Sequence, residues 1–169
     1  MTAAVDQRES GPGWVHGRVG NVVFLIFHSC VSEDGITHSF EVIGRTLARH
    51  PSGIALVAIF GERTQVPSAA TRRRILSYMG GIAKQLLIGG TVIEGDSVGA
   101  TVKRVATSMM TTIISPQFAH KTVRSVPLAC DYVARCAVDD QGAPLSQGAL
   151  FLAATGLRST MPSEPVLSM

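Results

Sequence analysis

The chain has 169 residues, 46% hydrophobic and 16% charged, with a formal net charge of +3. That length favours one domain with tails, and such a domain buries roughly 70% of its unfolded surface, so its core needs no covalent staples. The weak positive charge and a pI near 9.0 fall short of a dedicated nucleic-acid binder; they fit an acidic protein partner or an anionic surface.

Three cysteines, Cys30, Cys130 and Cys136, form no CxxC pair. They read as buried thiols of a reducing compartment, so a cytoplasmic location is expected. No apolar run approaches the ~18 residues of a membrane span. The N-terminus, MTAAVDQRESGPG, lacks the apolar core of a signal peptide.

Residues 1–13 are polar and contain Gly and Pro, the composition of a disordered tail. Trp14–Arg18 and Val22–His28 flank Gly20-Asn21, a two-residue hairpin turn. The run VVFLIF is apolar at every position, as in a central strand covered on both faces. Glu33–His50 follows with Ile36, Phe40, Ile43 and Leu47 on one stripe, a Ser32 cap, and early acids that suit the helix dipole. Ile54–Phe60 is a second doubly apolar strand.

A second helix spans Ser68–Gln85 with Ile75, Met79, Ile82 and Leu86 inward. Its Gly80-Gly81 pair costs roughly 1 kcal/mol per glycine against alanine, which a close approach to a sheet would explain. Leu87–Glu94 is a fourth strand. Asp96 or Ser97 then caps a third helix, Ser97–Ile114, with Val98, Val102, Val105, Met109 and Ile113 inward. Thr122–Val126 is a fifth strand. Pro127–Cys136 is a fourth helix, with Leu128, Tyr132, Val133 and Cys136 on its inner side. From Asp139 the pattern stops, so 139–169 reads as a flexible tail around one apolar island, Ala149–Leu157. The expected fold is an α/β domain over 14–138: a five-stranded mixed sheet, antiparallel at its N-terminal hairpin and parallel afterwards, with four helices.

This order, together with GRVGNVVFLIFHS, HPSGIALVAIFGERTQVPSAATRRRI, GTVIEGDSVGATVKRVATSM and KTVRSVPLACDYVA, resembles the STAS fold of bacterial anti-sigma-factor antagonists. The finer wording is similar to a divergent, SpoIIAA-like branch. The resemblance implies a non-enzymatic regulatory module that binds another protein. The phosphorylatable antagonists carry an Asp-Ser-Ser-Gly type turn before the second helix. Here that place reads Gly61-Glu62-Arg63-Thr64-Gln65-Val66-Pro67-Ser68, and Ser68 is the one hydroxyl near the helix start that could stand in.

The candidate partner-binding or regulatory residues are Glu62, Arg63, Thr64, Ser68, Thr71, Arg72 and Arg73. Ligands of open α/β sheets collect beyond the carboxyl ends of strands, and helix N-termini attract anions. Against this, Ser68 is also an ordinary cap. Arg72-Arg73-Arg74 spans most of a helical turn, so the three cannot all face one ligand. Lys103-Arg104 extends the basic patch if the two helix starts are neighbours. His16, His28, His38, His50 and His120 show no zinc spacing, and no nucleophile elbow, P-loop or dinucleotide fingerprint occurs. No catalytic residue, metal or cofactor is therefore expected. The alternatives to a protein-binding module are a small-anion, nucleotide or lipid-binding module and a self-assembling subunit. The acids Glu62, Glu94 and Asp96 near strand ends are all that recommend an enzyme.

Overall fold

A computed structural model of the chain describes residues 5–97, 99–101, 103–104 and 118–161. Six strands lie side by side in sequence order. They are β1 (Asp6–Gly11), β2 (Trp14–Val19), β3 (Val22–Phe27), β4 (Ile54–Phe60), β5 (Leu86–Ile93) and β6 (Ala119–Val123). The β1–β2 and β2–β3 pairs are antiparallel, and β3 to β6 run parallel.

The sheet has one strand more than the sequence reading gives it. Residues 6–11, assigned there to a disordered tail, form β1 at the sheet edge. An edge strand needs apolar packing least and is protected by charge, so DQRESG can serve as one. β6 starts three residues before the expected fifth strand, because Ala119–Val123 is the stretch in register with Ile88–Val92.

The centre matches expectation. Every residue of β3 is buried, and so is most of β4. Alternate side chains feed two cores. Val22, Phe24, Ile26, Val57 and Ile59 belong to one face, and Val23, Leu25, Phe27, Leu56 and Leu86 to the other.

The second of these faces carries α1 (Glu33–Arg49) and α2 (Ala69–Ile82). The Ser32 hydroxyl accepts from the Gly35 amide at 3.0 Å, and Ile36, Val42, Ile43 and Leu47 are buried. α2 is different: Thr71 is its one fully buried residue. It leans on α1 instead of the sheet. Tyr78 stacks on Phe40 at 3.9 Å and donates its hydroxyl to the Phe40 carbonyl, while Arg74 pairs with Glu33 at 2.7 Å. Ile75, Met79 and Ile82 are therefore only half-buried. Gly80 and Gly81 face open space, not the sheet. The expected third helix lies mostly outside the described residues. Where described, Gly99–Thr101 and Lys103-Arg104 are helical, and the Ser97 hydroxyl accepts from the Ala100 amide.

The first core is covered by α3 (Val126–Val133) and α4 (Gln147–Arg158). On α3 the inward residues are Val126, Ala129, Cys130 and Val133, and Leu128 is exposed. This corrects the inward assignment of Leu128. Ala129 comes so close to β5 that a Cβ on Gly90 would meet it at 3.2 Å, leaving room only for small side chains. The described part of the expected tail, 139–161, is structured and adds a helix beyond the four expected. A turn around Asp139 leads to α4, capped by Ser146, with Leu150, Ala153, Ala154 and Leu157 buried. Their i, i+3, i+4, i+7 spacing is one helical stripe. The hairpin turn is clamped by the same region. Asn21 exchanges four hydrogen bonds with it and with β4: its amide donates to the Val138 carbonyl, its side chain to the Cys136 carbonyl, and its oxygens accept from Val138 and Ala55. Gly20 takes φ +55° there, and a Cβ would lie 1.9 Å from the Val138 oxygen.

Candidate functional site

Because α1 holds α2 away from β4 and β5, a half-open cavity of about 300 Å³ lies beneath α2. Leu25, Leu56, Ala58 and Phe60 form its sheet wall, and Phe40, Ile75 and Met79 its helix wall. Its volume is at the lower end of small-molecule sites, and such sites are mostly apolar with a few placed polar groups. Among the described residues that line it there is no Asp or Glu.

The polar groups are segregated. At the carboxyl ends of β4 and β5 the mouth is formed by Thr64, Gln65, Pro67, Arg72 and Lys103. Arg72 donates to the Pro67 carbonyl at 2.8 Å, and Lys103 donates from Nζ to the Thr64 carbonyl at 2.8 Å. Neither cation meets a carboxylate among the described residues, whereas Arg74 pairs with Glu33 and Arg158 with Glu94. On the sheet wall the Thr91 hydroxyl and His120 Nε2 are 2.9 Å apart. Burial lowers the His120 pKa to about 4, so this ring is neutral near pH 7.

The seven candidate residues divide. Arg72 and Thr64 line the cavity; Thr64 is buried and donates its hydroxyl to the Phe27 carbonyl at 3.0 Å. Ser68 caps α2, accepting from the Thr71 amide at 3.1 Å, and Thr71 passes its hydroxyl to Glu33. Glu62, Arg63 and Arg73 are exposed. The Lys103 bond to Thr64 makes the two helix starts neighbours. Arg104 closes the β5 end by donating to the Ile93 and Gly95 carbonyls. Of the strand-end acids, Glu94 is held by Arg158 in a two-pronged pair at 2.6 and 2.8 Å. Sequence reasoning missed the apolar lining because it assigned Ile75 and Met79 to a closed core. The missed signal was the weakness of α2, with Gly80-Gly81 and three arginines.

Two other groups of polar side chains lie outside the cavity. Glu9, His38 and Glu41 place one ligand atom each within 4.8 Å of one another. Arg45 already pairs with Glu9, and the Asp34 carbonyl holds His38 Nδ1 at 3.0 Å and raises the His38 pKa. The group thus reads as an ion-pair cluster. His16 is fully buried, with Nε2 at 2.9 Å from both the Gly35 carbonyl and the Ser39 hydroxyl, and Trp14 stacked on it. Its closure from solvent suits structure. The cysteines are all free: burial pushes the Cys130 thiol up to about 12, while Cys30 is exposed, contrary to the expected burial. Among the described residues no helix is long and apolar enough to cross a membrane. No family model matches the chain, nor does any curated protein or solved structure.

Proposed function

We propose that the protein is a non-enzymatic binding module that holds a small apolar ligand between α2 and the sheet. One observation carries this reading: the cavity of about 300 Å³ walled by aliphatic and aromatic side chains. Small-molecule sites are typically concave and lined mostly by apolar and aromatic side chains with a few placed polar groups. Its position at the carboxyl ends of parallel strands agrees with where ligands collect in open α/β sheets. The test is native mass spectrometry of protein purified without denaturant. A bound small molecule released on unfolding supports the reading; a bare chain mass from several expression hosts counts against it.

A second reading keeps the regulatory, protein-binding role implied by the STAS-like resemblance. It is favoured by the loop tip, where Val66 is 60% exposed beside the outward Glu62 and Arg63. Affinity purification with and without Arg63→Glu distinguishes it: a partner lost with the charge reversal supports this reading, and an unchanged set of partners does not.

A further inference from the structure

We propose that the ligand is a single-chain amphiphile whose anionic head sits between Arg72 and Lys103 and whose apolar tail runs beneath α2 towards Met79 and Leu86. This inference rests on the cavity reading above and names the chemistry of its occupant.

Three observations converge on the mouth. First, Arg72 and Lys103 both line it, both are half-buried, and both spend a hydrogen bond on a backbone carbonyl instead of a carboxylate. Each therefore has donors left for an incoming anion: Arg carries five N–H donors and Lys three. A half-buried cation that meets no carboxylate keeps a strong field, because little water screens it. Second, the mouth includes Pro67, next to the start of the 14-residue α2, whose own first turn carries no acid; the Glu33 carboxylate that reaches that turn from α1 at Thr71 is paired with Arg74. Backbone N–H groups and the helix dipole add to the same positive potential. Third, among the described residues, charge is absent from the rest of the lining. The other described polar side chains there, such as Ser39, Thr91 and neutral His120, are uncharged, so they offer an ion no second site.

The shape of the polarity fixes the class. A nucleotide or sugar would leave its many polar groups against an apolar wall, at a cost for each unpaired one. A neutral hydrocarbon would leave the two cations without use. One charged end and one apolar chain satisfy both halves. A carboxylate and a phosphate monoester share this chemistry, and each accepts forked bonds from a guanidinium.

The experiment titrates delipidated full-length protein by calorimetry with decanoate, decyl phosphate and 1-decanol, all with the same tail. The expected result is binding of one or both anions about tenfold or more tighter than the alcohol, the equivalent of one charge-assisted bond. That preference should shrink as salt rises and vanish in Arg72→Gln/Lys103→Gln, where glutamine keeps a donor for the carbonyls but no charge. The tighter of the two anions names the head. Lys84→Gln, at an exposed lysine just beyond the C-terminal end of α2, should bind like the natural protein. The thermal midpoint of each variant separates lost binding from lost folding, and Lys103→Gln alone serves if the double variant unfolds. Equal affinity for decanol and decanoate overturns the headgroup assignment and leaves the apolar cavity standing. Failure of all three probes overturns both.

Discussion

Arg18 and Asp140, 122 positions apart in the chain, form an ion pair of 2.7 Å around a guanidinium with no exposed side-chain surface. The same guanidinium reaches Asp6 on β1 at 2.7 Å and the Gly20 carbonyl at 2.9 Å. Asp140 in turn lies 3.0 Å from His50 at the end of α1, and Asp6 also pairs with Arg49. One buried cation thus ties the edge strand, the hairpin, α1 and the C-terminal turn into one body. The Arg18 hydrogen bonds hold the carboxyls of Asp6 and Asp140 below the usual range.

Truncation after Val138 is expected to destroy this arrangement. It removes Asp140 and uncovers the surface sealed by Leu150, Ala153, Ala154 and Leu157. Burying a leucine is worth about 1.5–3 kcal/mol, and whole domains are stable by only about 5–15 kcal/mol. The shortened chain should show no cooperative melt. Asp140→Ala should cost about 1–3 kcal/mol, less than a fully buried pair because Asp140 is 56% exposed. Denaturant titration measures both, and an unchanged midpoint in either would separate the C-terminal region from the fold.

Gly80→Ala and Gly81→Ala should each stabilise the protein by up to about 1 kcal/mol. Nothing lies within 4 Å of a Cβ at either site, and both are helical, so alanine removes the entropy penalty of glycine without a clash. A rise of a few degrees in thermal midpoint is expected. A fall would place a neighbour against this face of α2.

Stability should decline with acidification below about pH 6.5. His16 is held near pKa 4, chiefly by burial, with Asp34 raising it and His38 lowering it; His120 is held near 4 by burial. Both values lie below the unfolded value of 6.5, so between pH 6.5 and 4 the unfolded chain takes up protons that the folded chain refuses. The stability these rings give is complete above 6.5 and is lost as pH falls through that window, at up to about 1.4 kcal/mol per unit for each ring. His16→Phe keeps the stacking on Trp14 and should flatten the slope of thermal midpoint against pH between 6.5 and 5. An unchanged slope would mean that His16 does not titrate on unfolding.

Local signals made much of the body legible. VVFLIF and IALVAIF lack alternation because both of their faces are buried, and that placed β3 and β4 at the centre. Ser32 and Ser97 were readable as caps because a cap acts over three residues. The Arg18 cluster was not readable, since nothing local links position 18 to positions 6 and 140. β1 was obscured by its polarity, although Gly11-Pro12-Gly13 is a turn signal. α4 was within reach: Ser146 and the Leu150–Leu157 stripe are a cap and a period, set aside because linker-like residues surround them. The cavity was invisible for a deeper reason. A stripe predicts which side of a helix is apolar and not how far from the sheet the helix stands; here the Phe40–Tyr78 stack sets that distance.

The most direct test of the apolar site compares the natural protein with Ala58→Phe in the presence and absence of 1-decanol. Ala58 is a half-buried residue of β4 that faces the cavity, so phenylalanine there occupies the ligand's space. A ligand at one hundred times its Kd stabilises the folded state by about 2.7 kcal/mol. The account predicts that decanol raises the thermal midpoint of the natural protein by several degrees and leaves that of Ala58→Phe unchanged. An equal shift in both proteins, or none in either at saturating decanol, would contradict it.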